Sequence, residues 1–121
     1  MKKIYYNKLI RDRIPLKIKK SGGKARYRVL GKKQFEKELY KKVGEEASGL
    51  FSVKSKKELT SELADVIEVI EEIKKFKKIS HKKLVEAKKE NMKRKGGFGK
   101  RLYLVWAEDT GYRTNERKYK K

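Results

Sequence analysis

The sequence predicts a mainly α-helical domain with a short two-stranded β-ribbon joining its N- and C-terminal flanks. Three observations carry that expectation. Three stretches repeat apolar residues at three- and four-residue steps, the period of a helix with one face turned inward. Serines stand at the heads of two of them, and the paired glycines Gly22-Gly23 and Gly96-Gly97 punctuate the chain outside them. Two short runs rich in aromatic and β-branched residues adjoin the glycines and read as strands. A length of 121 residues fits one domain.

In chain order, residues 8–19, which include Pro15, read as a short helix or turn. The run Ala25-Arg26-Tyr27-Arg28-Val29-Leu30 is the first expected strand. A helix follows over about residues 33–51, its apolar face made by Phe35, Leu39, Val43, Ala47, Leu50 and Phe51. The next, over about residues 56–77, starts behind Ser55-Lys56-Lys57-Glu58. That is a capping box, in which a hydroxyl and a carboxylate satisfy backbone donors reciprocally. Its ridge is Leu59, Leu63, Val66, Ile67, Ile70 and Ile73. The last long helix begins at the N-cap Ser80, runs through Leu84, Ala87 and Met92, and ends at Gly96-Gly97. The second strand is Arg101-Leu102-Tyr103-Leu104-Val105-Trp106. Pairing it with the first satisfies the backbone groups that a lone strand leaves open. The helical domain is expected to cover residues 1–109, with residues 110–121 a basic tail holding few apolar anchors.

Thirty-seven lysines and arginines against 16 acids leave a formal charge of +21. Such a surface attracts polyphosphates, nucleic acid and anionic membranes alike, so bulk charge does not select the partner. Zero cysteines exclude disulfides, thiolate zinc sites and cysteine nucleophiles, and the single His81, an expected exposed first-turn residue, argues against a histidine-based triad. Oxygen-ligated metals remain. No apolar run approaches the roughly 20 residues of a membrane span, and the start of the chain lacks the apolar core of a signal peptide. A cytoplasmic protein without a membrane partner is expected.

Eight of the 16 acids fall between residues 45 and 72. Leu39, Val43, Glu46 and Leu50 follow helical steps, so Glu46 interrupts an apolar ridge, and Glu62 and Asp65 border the ridge of the following helix. Carboxylates on a packed seam are costly unless cations or hydrogen-bond donors compensate them. Two such helices face to face would present a nest of oxygens suited to Mg²⁺, which prefers hard oxygen ligands and is commonly shared with substrate phosphates. Ion pairs with the abundant lysines and arginines satisfy the same pattern, and spacing alone leaves both readings open.

The opening Tyr6-Asn7-Lys8-Leu9-Ile10-Arg11-Asp12-Arg13-Ile14-Pro15 resembles that of small MazG-like, phosphoribosyl-ATP pyrophosphohydrolase-like proteins. Gly44-Glu45-Glu46, Glu62-Leu63-Ala64-Asp65-Val66, and Lys95-Gly96-Gly97-Phe98-Gly99-Lys100-Arg101-Leu102-Tyr103-Leu104 resemble that group's later blocks in the same order. The resemblance implies an all-α nucleoside triphosphate pyrophosphohydrolase that cleaves the α–β phosphate bond with Mg²⁺, or Mn²⁺ in its place. It also implies a homodimer or higher homo-oligomer. Carried over, Glu46, Glu62 and Asp65 bind the metal, and Glu45 either joins them or orients the attacking water as a general base. One position departs from the pattern: Gly49 stands where the first acidic motif has its last glutamate. Fewer metals, a substitute acid or water, or lost catalysis would each follow, and a glutamate restored at 49 is expected to raise metal affinity. Gly99 likewise replaces a common acid.

Lys88 and Asn91 resemble a Lys-x-x-Asn pair that in relatives faces the phosphates or the base, and Lys8, Arg11 and Arg101 belong to matched blocks as candidate phosphate clamps. Surface solvation of Lys88 and structural pairing of Arg11 are the plainer alternatives. Tyr27, Tyr103 and Trp106 suit stacking on a base or simple packing. Two function classes result. One is the Mg²⁺-dependent pyrophosphohydrolase. The other is a catalytically weakened scaffold that binds RNA or DNA through its basic surface, each phosphate contact adding salt-dependent affinity.

Overall fold

The helix ends are set by local chemistry that the sequence already contains. In the computed structural model, which describes residues 2–112, the elements are α1 (Ile14–Lys20), α2 (Lys32–Ser48), a 3₁₀ turn (Gly49–Ser52), α3 (Lys56–Lys77) and α4 (His81–Lys95). Pro15 occupies the first turn of α1, where its missing N–H is not needed. The Ser55 hydroxyl accepts the Glu58 N–H at 3.1 Å. The Glu58 carboxylate in turn accepts the N–H of Lys54 at 2.9 Å, one residue earlier than a standard capping box. Ser80 caps α4 by accepting the Lys83 N–H at 3.1 Å. At the other ends, α3 terminates on Lys78 in the left-handed region (φ 57°), and α4 terminates before Gly96 (φ 77°).

Helices α2 and α3 form an antiparallel hairpin across the 3₁₀ turn. The start of α2 meets the end of α3, where Phe35 and Phe76 stack edge to face with centroids 5.3 Å apart. The Lys77 ammonium donates to Glu36 at 2.7 Å beside them. Leu39, at 3% exposure, is the one buried side chain among the described residues. On α3, Glu62, Val66, Val69, Ile73 and Phe76 are half-buried at steps of four, three, four and three. Leu59, Leu63, Ile67 and Ile70 run along a second stripe that stays exposed, Ile67 to 55%. The expected single ridge is therefore two, and only one is covered.

The expected β-ribbon is absent: no strand occurs among the described residues. Residues 24–30 and 101–108 carry no regular secondary structure, and Val29, Leu102 and Tyr103 are exposed. Strand propensity specifies only half of a ladder, and no partner among the described residues completes it. The chain divides into two compact units, the first ending at Leu84 and the second starting at Val85. Of the expected tail, residues 113–121 lie outside the described residues. No helix among the described residues is long and apolar enough to cross a membrane.

Candidate metal centre

The antiparallel pairing that joins Phe35 to Phe76 brings the last turns of α2 beside the first turns of α3. Glu46 from α2 and Glu62 and Asp65 from α3 converge there. Each offers a carboxylate oxygen, and the three lie within 4.8 Å of one another, all on half-buried side chains. Three hard oxygens from two helices suit Mg²⁺ or Mn²⁺, with coordination positions left for water or phosphate. The backbone adds a second fitted feature. Gly49 heads the 3₁₀ turn, and a Cβ built there would stand 2.6 Å from Glu62 Oε2 and 3.2 Å from its Cδ. The bare glycine makes the room in which the Glu62 carboxylate lies.

Cations surround the nest. Lys42, one turn before Glu46 on α2, lies 3.5 Å from Glu46 and 3.3 Å from Glu45. From the segment ahead of α1, the Lys8 ammonium donates to Glu45 at 2.8 Å. Arg11 forks across α3, with Nη2 donating to Asp65 Oδ1 at 2.8 Å and Nη1 donating to Glu68 Oε2 at 2.6 Å. Glu62 has no ion-pair partner among the described residues. Three of these groups are shifted by their contacts. The hydrogen bond from Lys8 holds the Glu45 carboxyl below its usual range, opposed by partial burial and reinforced by Lys42. Lys8 is raised by the same bond, and Arg11 is raised chiefly by Glu68, with Asp65 and Glu46 adding.

The structure thus brings together Glu46, Glu62 and Asp65. Glu45 sits next to them in sequence, but its carboxylate is engaged by Lys8 and Lys42 and is not one of the three converging groups. Lys8 and Arg11 are tied to acids, and the structural pairing of Arg11 is with Asp65 and Glu68 across 54 and 57 residues of chain. Lys88 and Asn91 lie on α4 in the second unit, where the Asn91 side-chain oxygen accepts from Arg94 at 3.1 Å. Arg101 adopts a left-handed backbone (φ 57°) and its N–H bonds the Phe98 carbonyl at 3.0 Å. Glu68 and Lys42 were not singled out from the sequence. The signal for Glu68 was its position three residues after Asp65, on the same helix face.

No protein-family model matches the chain, and no curated protein and no solved structure matches it either.

Proposed function

We propose that the protein is a nucleoside triphosphate pyrophosphohydrolase dependent on Mg²⁺ or Mn²⁺. The observation that carries this is the convergence of Glu46, Glu62 and Asp65 from two helices on one point. In the reaction, one water opens the α–β phosphoric anhydride to give a nucleoside monophosphate and pyrophosphate. Glu46, Glu62 and Asp65 would hold the metal, which when bound neutralises phosphate oxygens and lowers the pKa of a bound water. Glu45, ionised and adjacent, is an acceptor for orienting water, although its depressed pKa makes it a weaker base than an ordinary glutamate. Lys8 and Arg11 supply positive charge at the rim. Lys88, Asn91 and Arg101 belong to the second unit and are not assigned to this site.

Homo-oligomerisation belongs to the same reading. Leu59, Leu63, Ile67 and Ile70 leave an aliphatic stripe open along α3, in a unit with one buried side chain among its described residues. Light scattering after size exclusion reads the assembly state directly. The enzymatic reading is tested by incubating the protein with ribo- and deoxynucleoside triphosphates and phosphoribosyl-ATP in Mg²⁺ and measuring pyrophosphate and the cognate monophosphate product. Release that falls at least 100-fold in both Glu62→Gln and Asp65→Asn is expected. Absence of cleavage across the panel sinks it.

A second reading, nucleic-acid binding, is favoured by one observation in the second unit. Phe98, Tyr103 and Trp106 are exposed, Tyr103 to 90%, and Lys100 and Arg101 lie between them. Trp106 is the only tryptophan. Quenching of its fluorescence by oligonucleotides at low salt, lost as salt rises, supports that reading, and unchanged fluorescence with no retained oligonucleotide removes it.

A further inference from the structure

We propose that Arg11 is a resident counter-cation of the carboxylate nest, holding Asp65 while no divalent cation is bound and yielding it when one is. The inference rests on the metal-site reading above and adds what regulates that site.

Asp65 serves two constellations. Its carboxylate is one of the three that converge with Glu46 and Glu62, and its Oδ1 accepts from Arg11 at 2.8 Å. The guanidinium is anchored on the far side by Glu68, outside the three, at 2.6 Å. Glu46 acts on the Arg11 charge as well. Three half-buried carboxylates within 4.8 Å repel one another, and a fixed cation offsets that repulsion. Arginine suits the task because its planar fork reaches two carboxylates at once and stays charged at every accessible pH.

A divalent cation at the same oxygens and a guanidinium on Asp65 are like charges competing for one carboxylate, so occupancy by one disfavours the other. Arg11 has somewhere to go. Residues 2–11 carry no helix or strand, and the ion pairs of Lys8 and Arg11 are the contacts that tie this stretch to α2 and α3 by side-chain charge. Once off Asp65, the guanidinium keeps its hold on Glu68 and presents its other donors beside the site, where the oxygens of a polyphosphate are its natural acceptors. The arginine would thus change partner from protein acid to ligand anion as the site fills.

The test uses the full chain stripped of metal with a chelator, and Mn²⁺ as the probe. Mn²⁺ affinity is measured by calorimetry for wild type, Arg11→Gln, Arg11→Ala and Asp65→Asn, with circular dichroism confirming helicity. Hydrogen exchange of residues 8–13 is followed in wild type with and without Mn²⁺, which requires no variant to fold. The expected result is affinity about three- to tenfold tighter in both Arg11 variants, and faster exchange at residues 8–13 on Mn²⁺ addition. Equal or weaker affinity in the Arg11 variants, or slower exchange at residues 8–13, overturns the proposal, because Arg11 would then be supporting Asp65 for the metal. That outcome leaves the metal site itself standing. Wild type that binds no Mn²⁺, or Asp65→Asn that binds it undiminished, removes the metal reading and this proposal with it.

Discussion

Substituting Gly49 separates the chemistry of the site from the stability of the fold. Its backbone (φ −63°, ψ −22°) is ordinary right-handed helix, so alanine is accepted there without strain. Replacing a helical glycine by alanine stabilises by up to about 1 kcal/mol. The new Cβ, however, falls 2.6 Å from Glu62 Oε2, and ordinary van der Waals contact begins at 3.4 Å, so the oxygen must retreat by about 0.8 Å. Mg²⁺ demands near-ideal octahedral geometry with its oxygens at about 2.0–2.1 Å, so a Glu62 carboxylate pushed off its present position is expected to ligate less well. Loss of one carboxylate of three is expected to lower metal affinity on the order of tenfold, about 1.4 kcal/mol. Stability and affinity therefore move in opposite directions. Urea unfolding of the metal-free protein and a Mn²⁺ titration of Gly49→Ala measure both. An alanine variant that binds Mn²⁺ as tightly as wild type refutes the claim that glycine houses the Glu62 carboxylate. The same contact bears on the expectation that a glutamate at this position raises metal affinity: its Cβ meets the end of the Glu62 side chain, and a Mn²⁺ titration of Gly49→Glu reads whether the new carboxylate adds to Glu62 or displaces it.

Three further outcomes test the frame around the site. Leu39→Ala, removing the one buried side chain among the described residues, should destabilise by about 2–4 kcal/mol in urea unfolding, whereas Ile67→Ala on the exposed stripe should cost well under 1 kcal/mol at concentrations where the chain is monomeric. Ser55→Ala should cost about 1 kcal/mol by freeing the Glu58 N–H, and a helicity-monitored melt reads it. The Lys8–Glu45 pair gives a pH signature whose sign follows from its two shifts. Glu45 is lowered, so its contribution is present above the ordinary glutamate range and fades as pH falls through the folded value. Lys8 is raised, so its contribution is present below the ordinary lysine range and fades as pH rises through the folded value. Screening of this exposed pair limits the effect to roughly 0.2–1 kcal/mol, and Glu45→Gln should flatten the acid limb of stability against pH.

The helical part of the molecule was legible because its signals are local. Ser55 and Ser80 cap the helices they precede, Gly96 ends the last one, and the period of three and four picks out Phe35 and Leu39 as packing residues. The convergence of Glu46, Glu62 and Asp65 was legible for the same reason, since an antiparallel hairpin follows from two helices joined by a short turn. The strands were not, because a ladder needs a partner distant in sequence, and the composition of residues 25–30 or 101–106 says nothing about whether one arrives. Nor was the engagement of Lys8 and Arg11 with acids 37 and 54 residues away. A chain with 37 cations offers too many equivalent candidates for pattern alone to choose. Periodicity also merged the two stripes of α3, because hydrophobicity marks a face as suitable for burial without showing that anything covers it.

The uncovered stripe of α3 has a further consequence once the net charge is considered with it. Two copies approaching through Leu59, Leu63, Ile67 and Ile70 each bring a formal charge of +21, a repulsion felt over a Debye length of about 10 Å at 0.1 M salt. Added electrolyte shortens that reach while leaving the aliphatic attraction in place. Self-association of this chain should therefore strengthen with ionic strength, while the ion pairs that hold Lys8 and Arg11 weaken, so one solution variable drives the outer and inner attachments of the same helix hairpin in opposite directions.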